Sequence, residues 1–258
     1  MAATEKPRTE EKCREARQVG PGNYRPALFL IGLLAKYSFS KILAAAAIMA
    51  AAEGTLFFFG LQNHPDRSTF QFLIDGKQIP AIFLAALGAV YFILTWTEGR
   101  LEDQSHNTLL RIPLSQKQFF FLKTIWNFFC LALLFALQIW LMFAMTEVFV
   151  RKTSAESASL WQLFLAASCS EFFHCLLPMA DILKWVRNFL LLMALGTEAS
   201  FGIRQKNYVL FALLLSITTL CFNSPINATL TDTACCALYA AGIGISIRKA
   251  GALTADNL

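Results

Sequence analysis

The chain has 258 residues, 56% of them apolar and only 15% charged, with a mean hydropathy of +0.51. A soluble domain carries about 25% charged residues, so this balance excludes an ordinary soluble enzyme and points to a polytopic membrane protein. The formal charge of +5 does not indicate a nucleic-acid partner, because the Lys and Arg residues lie in short segments beside apolar runs, where membrane orientation accounts for them.

Residues 1–24 alternate acids and bases and read as a charged cytoplasmic tail. They lack the apolar core of a cleavable signal peptide. From Pro26 to Tyr37 the chain is apolar but too short to span, which predicts an interfacial helix leading into the membrane. Ser38 and Lys41 separate it from a first span at about 42–59, rich in alanine at Ala44 to Ala47 and Ala50 to Ala52. Such small residues let helices approach closely in lipid. Glu53 sits in the middle of this span. A carboxylate there is costly unless it faces a bundle interior, a partner or a wet cavity, so it is a candidate for the translocation pathway; a hydrogen bond to a neighbouring helix would make it structural instead.

A second span at about 79–96 and a third at about 124–145 are each long enough to cross a hydrocarbon core of about 30 Å at about 1.5 Å per residue. Between them, residues 98–123 form a loop whose basic residues Arg100, Arg111, Lys117 and Lys123 outnumber its acids, which places it in the cytoplasm. Further spans are predicted at about 160–179, 208–222 and 234–247. The fourth competes with a crossing at about 183–202. Charge counting favours 160–179, because Lys184, Arg187, Arg204 and Lys206 then all fall inside with most of the 22 basic residues. Arg248 and Lys249 mark a cytoplasmic C-terminus. The expected architecture is therefore all-α, six transmembrane helices with an N-terminal interfacial helix, in the plasma membrane, with both termini cytoplasmic.

Chemistry-bearing motifs are sparse. The cysteines, mostly in or beside apolar runs, show neither a disulfide framework nor a zinc pattern. No G-x-x-x-x-G-K-[ST] phosphate loop occurs, so nucleotide hydrolysis is not expected on this chain. Glu171 and His174 have the Glu-x-x-His spacing that puts a carboxylate and an imidazole one helical turn apart, as in di-iron bundles. The second copy and further glutamates that such a site needs are missing, so the pair reads as polar residues of the span and a low-ranking pathway candidate rather than as a metal centre.

The 98–123 loop carries the one recognisable motif. Thr108, Leu109, Leu110, Arg111, Ile112 and Pro113, then Ser115, Lys117 and Lys123 at the mouth of the third span, resemble the segment between the second and third spans of permease subunits of type 2 ABC exporters. Those carry an acidic stretch, a leucine pair, Leu-Pro-x-Ser, and basic residues after it. Many members have Gly-Thr before the leucines and Arg directly after the Ser, where this chain has Asn107-Thr108 and Gln116. In physical terms, Thr108 can cap a short helix, Pro113 breaks it, and Ser115 can cap the helix that enters the third span. Leu109, Leu110 and Ile112 then offer an apolar face. The resemblance implies that this face docks in a groove of a separate cytoplasmic ABC ATPase subunit, that ATP and Mg are bound there and not here, and that a second copy or a homologous permease completes the pathway across the lipid bilayer. A structural six-span protein recruiting a non-ATPase cytoplasmic partner is the alternative.

Overall fold

A computed structural model describes residues 25–63, 70–76, 78–109, 116–153, 170–178, 181–201, 208–223 and 229–255. Among these residues the fold is all-helical: α1 (Arg25–Asn63), α2 (Phe70–Asp75), α3 (Ile79–Leu109), α4 (Gln116–Thr153), α5 (Glu171–Leu176), α6 (Ile182–Ala199), α7 (Tyr208–Asn223) and α8 (Thr229–Ala255). Four apolar stretches, Ala27–Gln62, Ile79–Thr97, Lys117–Lys152 and Thr229–Gly251, are long and apolar enough to cross a membrane.

The expected break between an interfacial helix and the first span does not occur. α1 is one helix of 39 residues, about 58 Å long. Ser38 does not interrupt it because its hydroxyl donates back to the Leu34 carbonyl at 2.7 Å, the bond that lets a serine sit inside a helix. No proline follows Pro26 in this stretch to forbid continuation.

α2 ends at Gly76, whose N–H donates to the Phe72 carbonyl at 3.1 Å. A Cβ there would lie 2.6 Å from that same carbonyl oxygen, so only glycine fits. Gln78 follows in a left-handed conformation (φ 63°) and its carbonyl accepts from Ala81 and Ile82 at 3.0 and 3.2 Å. Pro80 is tolerated in this first turn because its missing N–H would have no intrahelical partner.

The predicted 98–123 loop is mostly helix. α3 continues beyond Thr97 to Leu109, so twelve mostly polar residues extend it by about 18 Å, and α4 begins at Gln116. Thr108 therefore sits in the last turn of α3 and not at the start of a separate short helix. The acids and bases from Glu98 to Gln104 are compatible with helix, and Pro113 is the first residue after them that forbids it. Residues 110–115 lie outside the described residues.

A continuous helix over 160–179 is also not what the chain forms. Ser170 is extended (φ −90°, ψ 123°), and its Oγ accepts from the Phe173 N–H at 3.3 Å to start α5. This short helix is followed by α6, which occupies most of the competing 183–202 range and is capped by Asp181 through the Leu183 N–H at 3.1 Å. Residues 154–169 lie outside the described residues.

Side-chain contacts fix how the helices run. Trp126 Nε1 donates to Ser38 Oγ at 3.2 Å, and Gln138 Nε2 to Glu53 Oε2 at 2.9 Å, so α1 and α4 are parallel. α6 runs against α4, with Thr124 and Asn127 meeting Ser200 at 3.0 and 3.2 Å and Phe143 meeting Phe173, which precedes α6, edge to face at 5.1 Å. α6 and α8 are parallel, joined by Arg187–Asp232 near their starts and Glu198–Ser246 further along. α7 opposes α8, since Thr218 lies 3.5 Å from the Tyr239 hydroxyl while Arg187 stacks near Phe222. One end of the bundle thus carries Ser38, Trp96, the start of α4, Ser200 and the last turns of α8. The other carries α2, α5, Arg187, Phe222 and Asp232.

At this second end the core is aromatic. Phe83 is edge-on to Phe135, Phe172 and Phe222 at 5.9–6.0 Å, geometry that contributes beyond area burial. Close backbone approach is localised at Gly196, where an added Cβ would sit 3.1 Å from the Phe128 nitrogen. That is how α4 and α6 come together.

Candidate functional site

Three groups of polar residues stand out in the bundle. The first is at the α3–α4 end. Thr108 and Leu109 close α3, while Leu110, Arg111, Ile112, Pro113 and Ser115 lie outside the described residues. Lys117 is exposed on the first turn of α4. Lys123 is 4% exposed, with its ammonium 4.6 Å from the centre of the Phe119 ring, an attraction that strengthens as water is removed. Lys249 lies similarly over Phe201 at 4.9 Å, and Phe201 contacts Phe120 at 5.1 Å. The last part of α8 is therefore tied to the root of α4.

The second group is inside the bundle. Glu53 on α1 and Gln138 on α4 are both fully buried and joined by the 2.9 Å bond. Their two remaining oxygens, both Oε1, have no hydrogen-bond partner among the described residues. A protonated carboxyl and an amide can pair through two hydrogen bonds, the acid O–H to the amide oxygen and the amide N–H to the acid carbonyl. That arrangement keeps the observed bond and leaves no orphaned acceptor.

The third group ties α6 to its neighbours. Arg187 Nη1 donates to Asp232 Oδ1 at 2.6 Å, with both side chains 5% exposed. Its Nε and Nη2 donate to Asn188 Oδ1 at 3.4 and 3.2 Å. Asn188 Nδ2 in turn donates to the carbonyls of Cys175 and Leu176 at 2.8 and 3.5 Å, satisfying two of the orphan acceptors at the end of α5. One residue pair thus holds α5, α6 and α8 together. Lys184 also sits at this end, 3.8 Å from Asp181.

Arg187 is consequently not on the α3–α4 face, as charge counting with a 160–179 crossing places it. It lies beside the start of α8, at the opposite end of the bundle. Hydropathy treats each charge as solvent-seeking, whereas a buried pair is neutral as a unit.

The other pathway candidates separate. Glu171 and His174 are both exposed on α5, whose buried face is Phe172, Phe173 and Leu176. They share no site with Glu53. No group of three or more His, Cys, Asp or Glu residues able to hold a metal ion occurs among the described residues. Sequence reasoning missed Gln138, Asn188, Asp232 and the Glu198–Ser246 contact at 3.2 Å. Gln138 carried a usable signal, a long polar side chain in the middle of an apolar run.

No protein-family model, curated protein or solved structure matches the chain.

Proposed function

We propose that this chain is the membrane-spanning permease subunit of an ATP-driven exporter, coupled to a separate cytoplasmic ATPase through the α3–α4 connection. The observation that carries the reading is the segment from Thr108 to Lys123, with its Leu109, Leu110, Ile112, Pro113 and Ser115 pattern, between two helices of membrane length. A helix that continues past Thr97 to Leu109 is suited to transmit a push from a cytoplasmic motor to the bundle as a stiff lever.

The course of the helices supports six crossings, by α1, α3, α4, α6, α7 and α8, with α5 seated at the far end. α6 then takes the fourth crossing, its arginine neutralised by Asp232. Both ends of the described chain lie with the α3–α4 connection. Lys36, Lys41, Lys117, Lys123, Arg248 and Lys249 belong to that end, whereas at the other Arg151, Lys184 and Arg187 each face a carboxylate and Lys152 is exposed. This asymmetry favours a cytoplasmic α3–α4 end.

In this reading the permease contributes no catalytic residue. ATP and Mg are held by the partner, and a second copy or related permease completes the pathway. Leu110→Asp places a charge in the apolar docking face. It abolishes stimulation of the co-expressed ATPase while membrane insertion is retained. Unchanged stimulation, or purification with no nucleotide-binding subunit, contradicts the assignment.

A further inference from the structure

Between α1 and α3 an open groove of about 300 Å³ is lined by Lys41, Phe92, Ile93 and Trp96. It lies at the α3–α4 end, because Ser38, one turn before Lys41, is bonded to Trp126 near the root of α4. Phe92 and Trp96 are exposed by 55% and 43%, and their rings meet at 5.8 Å to form one aromatic wall. Lys41 is exposed and supplies the only charge in the lining among the described residues.

We infer that this groove holds an anionic phospholipid. The order of side chains matches the order of groups in such a lipid. The Lys41 ammonium meets the phosphate, and the indole of Trp96 lies at head-group depth, where an amphipathic ring is best solvated. Phe92, one turn deeper on α3, and Ile93 line the first methylenes of an acyl chain. A free phosphate has no use for the aromatic wall, and a zwitterionic lipid offsets its phosphate with its own ammonium. Both flanking helices are of membrane length, so the groove opens where lipid is the surrounding solvent. The assignment is independent of the coupling to an ATPase.

The test uses the full chain reconstituted in vesicles of phosphatidylcholine, with a small fraction of either dibrominated phosphatidylglycerol or dibrominated phosphatidylcholine as quencher. The signal of Trp96 is the difference between the chain and its Trp96→Phe variant. Quenching by the anionic lipid is expected to reflect about fivefold tighter association, one lysine's share of the attraction to an anionic surface. Lys41→Gln removes the preference and Lys41→Arg keeps it. Equal quenching by the two lipids, or a preference that survives Lys41→Gln, overturns the inference. Relief of the quenching by inorganic phosphate assigns the groove to a free anion and overturns it as well.

Discussion

Arg187 on α6 and Asp232 in the first turn of α8 form a buried ion pair, 45 residues apart in sequence, with a donor–acceptor distance of 2.6 Å. The pair sets which end of the bundle α6 starts from. It also explains why a helix of 18 residues carrying Lys184, Arg187 and Glu198 can pack inside an apolar bundle.

Removing one member leaves the other charged and buried. Arg187→Met or Asp232→Leu alone is expected to destabilise the chain by about 3–5 kcal/mol, seen as a lowered unfolding midpoint in detergent. The double variant Arg187→Met, Asp232→Leu recovers more than half of that loss, because an apolar pair carries no desolvation penalty. Strictly additive losses would contradict the pairing.

Glu53 and Gln138 stabilise the parallel packing of α1 and α4. Glu53→Gln is tolerated, since a neutral amide can accept the same bond from Gln138. A double-mutant cycle with Glu53→Leu and Gln138→Leu is expected to give a coupling of about 0.6–1.7 kcal/mol, the range of interhelical hydrogen bonds in lipid. Denaturant titration of the four proteins measures it. Zero coupling would show that the bond makes no net contribution.

Gly196→Ala forces the Phe128 backbone away from a contact of 3.1 Å. A loss of about 1–3 kcal/mol is expected from this overpacking, and the bonds that Asn127 and Ser200 make to the Gly196 carbonyl are strained with it. Gly88→Ala and Gly244→Ala, where a Cβ meets nothing within 4 Å, serve as controls and leave the unfolding midpoint unchanged or slightly raised.

What the sequence revealed, and what it hid, follows from how each signal arises. Uninterrupted apolar runs gave the helices that contain 79–97, 117–152 and 229–251, because backbone bonds must be satisfied internally in lipid. The short polar interruption at Ser38 to Lys41 reads as a boundary, yet α1 runs through it. A hydroxyl that bonds its own helix leaves no trace in hydropathy. Charge counting around residues 160–202 is uninformative for a related reason: the partner that neutralises Arg187 is distant in sequence, and no window of nearby residues contains both. Leu160 to Met179 reads as continuous because Ser170 acts through its dihedral angles and cap, not through polarity. The 98–123 segment carries a motif resemblance, but the long helical extension of α3 into it leaves no such mark, since charged residues between apolar runs suggest a loop even when their helix propensity is good.

The most direct test of the account is cysteine accessibility in intact cells, on a chain whose seven native cysteines are replaced. Gln118→Cys at the root of α4 and Thr229→Cys at the start of α8 mark the two ends. A membrane-impermeant maleimide is expected to label Thr229→Cys in intact cells and Gln118→Cys only after permeabilisation. Labelling of Gln118→Cys from outside would put the α3–α4 connection beyond the reach of any cytoplasmic ATPase and contradict the exporter assignment.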